Sequence, residues 1–305
     1  MHINISDFQK TYYENVKPLE DGIKKEKKKI YIIISIIVII TSVIIMISQM
    51  NIDTYSNMKE ITDSYMTIII FDFFIIIWLV NSFTSKLKNK IFPVLFKSID
   101  SNFVYSSKPK WQIDQFTDSG FYNNKINSCI SEDNLYIKTD NQDINIYELE
   151  VTHGQGKQEK KVFSGLFAHI VLNKSFKSDV KIIYNKHKDF GIIKSMFANE
   201  DKVNLENIEF EENYDVYCTD QIYARRILTL TFMEKLLQAT DKINNRIQIS
   251  FKNNNIYIAI SGVKLINDEM LFLKKIDMTM ILKTLEDIMG IIEVINFLNL
   301  EEQVV

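Results

Sequence analysis

Two apolar runs near the start of the chain restrict its fold more than anything that follows them. Ile30–Ser48 (IYIIISIIVIITSVIIMIS) carries no charged side chain in 19 positions, long enough as a helix to cross a hydrocarbon core of roughly 30 Å. Tyr65–Phe83 (YMTIIIFDFFIIIWLVNSF) is as long but holds Asp72 in its middle. Together the runs predict a transmembrane helical hairpin. The polar residues 1–29 are too many for the short basic start of a signal peptide, and no small-x-small cleavage site follows the first run, so that span is expected to stay in the protein.

Charge gives the hairpin a direction. Lys24, Lys25, Lys27, Lys28 and Lys29 precede the first span and Lys86, Lys88 and Lys90 follow the second, whereas the loop 49–64 sets Lys59 against Asp53, Glu60 and Asp63, a formal charge of −2. Positively charged flanks stay cytoplasmic, so both termini are expected in the cytoplasm and only the loop outside. The Lys24–Lys29 run also suits an anionic lipid surface, which favours the same orientation. Abundant Ile, Asn and Lys match the coding bias of an AT-rich bacterial genome.

A chain of 305 residues accommodates the hairpin and one further domain of ordinary size. A net charge of −3 offers no basic excess for a phosphate backbone and argues against nucleic acid as a partner. Cys129 and Cys218 lie far apart with no CxxC, the usage of a reducing compartment, and their pairing is left open.

In the lead, 1–29, Phe8, Tyr12, Val16 and Leu19 recur at spacings of 4, 4 and 3, the stripe of an amphipathic helix that Ser6 or Asp7 can cap. Phe92, Phe96, Ile99 and Phe103 extend the second span into a helical connector over 84–110, with a kink or break at Pro93. From Trp111 onward, 111–305, a cytoplasmic α+β domain is predicted, its sheet mainly antiparallel because short hairpin connections outnumber βαβ units. Leu135–Lys138 and Ile144–Val151 flank the turn formers 139–143, and Val162–Leu172 is a long strand with Gly165 at a bulge or close backbone contact. Val180–Tyr184, Tyr214–Cys218 and the hairpin of Arg246–Phe251 with Ile256–Ile260 complete the strands. Helices are predicted over Asp220–Leu228, from a Thr231/Glu234 capping box to Lys242, and over Asp277–Asn299. In the last, Ile281, Leu285, Ile288, Ile292 and Ile295 form a short seam read as core ahead of oligomer contact.

Asp72 needs a partner, since a carboxylate at mid-bilayer costs about 2.5–3.5 kcal/mol even on insertion scales. The preferred reading has it fasten the hairpin through Ser35, Thr41 or Ser42, because nothing else polar lines the spans as a transport path would require; an oligomer contact or a proton-sensitive switch is the alternative. Tyr223-Ala224-Arg225-Arg226 puts two guanidiniums on a short helix, where they can clamp a phosphate or carboxylate. Adjacent helix residues point about 100° apart, so one Arg paired with the Glu206, Glu209, Glu211, Glu212 run and one in solvent is the plainer arrangement. Thr152–Lys157 (THGQGK) lacks P-loop spacing and lies between strands, so a solvated hairpin loop is expected. His153, His169 and His187 are scattered, the acidic run reads as a solvated edge, and nothing in the spacing gives either cysteine a histidine partner. No metal, cofactor or catalytic residue is expected.

Taken in order, these segments resemble a known family. Phe116–Phe121 (FTDSGF), Ser131-Glu132-Asp133, Tyr147–Val151 (YELEV), Lys161–Phe167 (KVFSGLF), Leu205-Glu206 with Glu209-Phe210-Glu211, Tyr217–Asp220 (YCTD) leading to Ala224-Arg225 and Leu228-Thr229, and Phe232-Met233, behind two N-terminal spans, are similar to the bacterial membrane proteins grouped as domain of unknown function 3137. The resemblance implies a two-span protein with a cytoplasmic domain, acting beside another membrane protein of LemA-like kind, and it brings no active site. The expected function is a membrane-tethered interaction or sensing module that is not an enzyme, with the lipid bilayer and another membrane protein as partners and a homo-oligomer compatible with the sequence. The alternative is a membrane effector that binds a small anionic ligand or nucleotide through Arg225 and Arg226.

Overall fold

The computed structural model describes residues 5–50, 58–110, 113–122, 125–138, 142–185 and 201–297. The middle of the predicted external loop, the turn positions 139–141, His187 and the helix end at 298–299 lie outside the described residues. The helices are α1 (Ile5–Thr11), α2 (Glu20–Met50), α3 (Met58–Ile99), α4 (Ile113–Asp118), α5 (Ile208–Asn213), α6 (Gln221–Ile227), α7 (Leu230–Ile243), α8 (Asp268–Leu273) and α9 (Met278–Phe297). The strands are β1 (Phe103–Ser106), β2 (Ser128–Lys138), β3 (Gln142–His153), β4 (Lys160–Leu172), β5 (Val180–Tyr184), β6 (Tyr214–Cys218), β7 (Ile247–Lys252) and β8 (Asn255–Ser261). The chain divides into two compact units, Ile5–Leu95 with Asn267–Ile281, and Phe96–Ile266 with the chain from Leu282.

The first unit is helical. α1 passes through a π turn (Tyr12–Val16) and a 3-10 turn (Lys17–Leu19) into α2, and the predicted stripe is buried at Phe8, Tyr12 and Val16. The Tyr12 hydroxyl donates to Glu20, closing the turn on itself. α2 and α3 contain the two apolar runs and are long and apolar enough to span a membrane. Their apolar side chains point outward: Ile39 is 61% exposed, Met46 64%, Phe71 66% and Trp78 67%. Water disfavours so wide an apolar surface.

The connector departs from expectation. Pro93 neither ends nor interrupts α3, which runs on to Ile99. A proline removes one backbone donor, and the buried Ile91, Phe92, Leu95 and Phe96 on either side hold the helix through that loss by packing. Phe103 is not on the helix. The backbone N–H of Asn102 donates to Asp100 Oδ1 and that of Phe103 to the Asp100 carbonyl, and this turn starts β1 inside the stretch predicted to be helical. Proline pattern and apolar spacing carried no sign of an Asx turn.

The second unit is built on one eight-stranded sheet, in the order β1-β2-β3-β4-β8-β7-β5-β6, with every pairing antiparallel. Strict alternation gives it two buried faces. One carries Ile144, Ile146, Leu166, Ile170, Ile249, Phe251, Ile256 and Ile258, on which Phe232 of α7 sets an edge against Phe251. The other carries Tyr147, Leu149, Val151, Phe163 and Phe167, covered by Phe116 of α4 at 5.5 and 5.3 Å from the rings of Phe163 and Phe167. Gly165 is required where it stands: its φ is +154°, and a Cβ there would lie 2.1 Å from the carbonyl oxygen of Ile260 on β8.

α7 starts two residues before the predicted box. Thr229 is its N-cap and accepts from the Phe232 backbone N–H, while Thr231 lies within the first turn. Asp220 caps α6 in the same way through Tyr223. The seam residues Ile281, Leu285, Ile288, Ile292 and Ile295 of α9 are all buried within the chain, so the seam is core. Cys129 and Cys218 are not joined in a disulfide; they lie on strands six spacings apart, about 29 Å.

Candidate functional site

Of the residues singled out from sequence, Asp72 acquires a defined partner: the Thr41 hydroxyl on α2 donates to its Oδ2. Thr41 shares that proton with the Ile37 carbonyl 2.8 Å away, while Ser35 and Ser42 bond back to the carbonyls of Tyr31 and Val38. Nearer the hairpin tip Ser48 and Tyr65 share a second hydroxyl contact. Arg225 and Arg226 are both exposed on α6. Arg225 Nε donates to the carbonyl of Asn204 at 3.2 Å, and Glu211, one of the acidic run, accepts instead from the Leu205 backbone N–H. Thr152 and His153 end β3, paired with Lys161 and Lys160 of β4, so the loop is confined to 154–159, where a 3-10 turn forms at Gly156–Gln158 and the Gly154 N–H bonds Asn127. Among the described residues, no group of three or more His, Cys, Asp or Glu side chains is placed to hold a metal ion.

The structure assembles a cluster that spacing alone did not. In the β2/β3 ladder Ser131 pairs with Leu149 and Asn134 with Tyr147, so Glu132 and Asp133 together oppose the single residue Glu148. Such a bulge brings an extra side chain to one level of the sheet. Asp133 is fully buried and accepts from the Tyr105 hydroxyl of β1 at 2.5 Å. Glu148 is 7% exposed, and its Oε2 accepts from the Leu265 backbone N–H at 2.9 Å. Burial, then the charge of Asp133, pushes the Glu148 carboxyl up to about 7, against the pull of the Leu265 N–H. The chemical capacity of this arrangement is to hold or release a proton near neutrality.

A second polar feature crosses the opposite face. Tyr136, Asn145, His169, Tyr257, Ser250, Lys181 and Tyr217 are successive cross-strand partners over β2, β3, β4, β8, β7, β5 and β6. His169 stacks on Tyr257 with ring centroids 4.9 Å apart and shares a hydrogen bond with Asn255. Burial lowers the His169 pKa and pushes the Tyr257 hydroxyl up to about 12. Gly120 leaves room for Lys181, whose Cε would lie 2.8 Å from a Cβ at that position.

Within the helical unit, Phe272 of α8 lies against both long helices. Its ring is 5.3 Å from Tyr31 and 6.0 Å from Phe83, with the Lys27 ammonium 5.7 Å above it. Lys27 also donates to the Lys274 carbonyl, and buried Lys88 pairs with Asp268 at 2.5 Å. Two of the lysines counted as flanking charges are thus taken up by the protein itself.

No curated protein matches the chain. Among solved structures, the mycobacterial trehalose monomycolate transport factor A, TtfA, is similar over 65% of this chain and 89% of its own, at 8% identity and a TM-score of 0.34. Residues 161–300, which start in β4 and take in the other half of the sheet with its helices, match the family model described as protein of unknown function DUF3137.

Proposed function

We propose that this protein is a two-span bacterial inner-membrane protein whose sheet unit is a cytoplasmic interaction or sensing module, working with another membrane protein. The observation that supports it most is the outward apolar surface of α2 and α3, whose central polar group, Asp72, is satisfied from within by Thr41. A hairpin closed in this way meets lipid with side chains that lipid accepts and needs no polar companion. Orientation follows from Lys24, Lys25, Lys28, Lys29, Lys86 and Lys90, which stay exposed after Lys27 and Lys88 are engaged.

A cytoplasm-only reporter fused after Val305 tests the orientation: activity is expected, and a dark reporter with full expression defeats it. Mild cross-linking in cells followed by detergent extraction tests the partner. A membrane protein recovered with the chain is expected; a purified chain that turns over a substrate, and loses that activity on one polar substitution, overturns the reading.

A further inference from the structure

We infer that the Asp133/Glu148 pair at the β2 bulge is a proton-binding site whose occupancy sets how firmly residues 262–266 are held to the sheet. The inference rests on the sensing reading above and names the proton as what is sensed. Its geometric basis is the register: one residue of β3 faces two of β2, and both strands are paired on either side of the bulge, so the carboxyl groups cannot separate without breaking ladder bonds.

The two carboxyls are not equivalent. The Tyr105 hydroxyl donates to Asp133, a contact that favours charge there, while burial raises the Glu148 carboxyl. The charged groups facing Glu148 are Asp133 and Glu132 from β2, which favour its protonation, and Lys264 from the following segment, which favours its ionisation. Across β4 its partner is the apolar Leu166. The Leu265 N–H bonds the same carboxylate that the proton neutralises. A hydrogen bond to a charged acceptor is the stronger one, so proton and Leu265 compete, and by linkage each weakens the hold of the other. One proton moves from solvent to the Glu148 carboxylate and no covalent bond changes. Leu265 and Ile266 are buried, and Ile266 is the last residue of the sheet unit before the chain passes to Asn267.

The test uses the full chain in detergent micelles between roughly pH 5 and pH 9. The infrared carboxyl band of wild type, with that of Glu148→Gln subtracted, reads proton occupancy. Half-occupancy near pH 7 is expected, and Asp133→Asn should move it down because a negative neighbour has been removed. Hydrogen exchange of the peptide containing Leu265, corrected for intrinsic rates, reads the hold. Protection is expected to rise roughly fivefold to tenfold from acid to base and to be flat in Glu148→Gln. A midpoint in the ordinary carboxylate range, or equal protection at both ends, overturns the site. If the site titrates while partner capture by cross-linking is the same at both pH values, the sensing reading fails and the proton site stands.

Discussion

Glu148 occupies a position that an alternating strand reserves for its core: Ile144 and Ile146 precede it on the same face, both buried. Its carboxyl is neutral in the folded chain up to about 7, against 4.5 when unperturbed. The sign follows directly. The folded state holds the proton more tightly, so the stabilisation is complete below pH 4.5, is lost as the pH rises towards 7, and is level above that. The difference corresponds to about 3 kcal/mol. Glu148→Gln keeps an acceptor for Leu265 and carries no charge, so a pH series of thermal melts should show that slope removed and the variant melting above wild type at pH 8. Gly165 gives a prediction without pH: Gly165→Ala meets the Ile260 carbonyl and a φ of +154°, and should lose about 2–3 kcal/mol in denaturant unfolding. Both residues had a sign in the sequence. Gly165 interrupts an apolar strand, and Glu148 breaks an apolar alternation. What spacing did not reveal was the partner, because Asp133 reaches Glu148 only through a register shift of the ladder.

At the scale of elements, the apolar runs and alternating strands were legible and their ends were not. α2 and α3 extend well beyond the apolar stretches because lysines, glutamates and serines continue a helix as readily as they leave one. β1 is four residues long and too short to announce itself by alternation; its identity comes from pairing with β2. α4, α5 and α8 were missed for the same reason, at six residues each. The start of α7 shows how a sequence motif is outbid by geometry: Thr231 has the spacing of a capping box with Glu234, yet Thr229 holds the extended backbone that a cap needs. Thr229→Ala should therefore cost about 1 kcal/mol in thermal stability, while Thr231→Ala, inside the helix, should leave it nearly unchanged. At the candidate sites the same limit applies. Thr41 was one of three hydroxyls open to Asp72, and helix phase together with pairing register selected it.

At the scale of the whole molecule, the pattern expected two apolar spans and an antiparallel sheet with helices, and both are present. The assignment of residues 267–281 to the helical unit was not legible, since α8 carries no apolar periodicity long enough to declare a partner. Lys88 and Asp268 give that assignment an energetic test. Asp268→Asn removes the carboxylate that lies 2.5 Å from the buried Lys88 ammonium and should lose about 1–3 kcal/mol, read as a lower melting temperature in detergent that Lys88→Met with Asp268→Asn partly restores. Strand order has a consequence for synthesis as well. β4 is apolar on both faces, and its outer edge is paired by β8, about 80 residues further along the chain. At roughly 5–20 residues per second, the ribosome leaves that edge open for about 4–16 s, while β1 to β3 already have all their own partners. A nascent chain of this protein therefore displays a long sticky strand before it can be covered. Slowing translation between β4 and β8 should raise aggregation more than slowing it anywhere later.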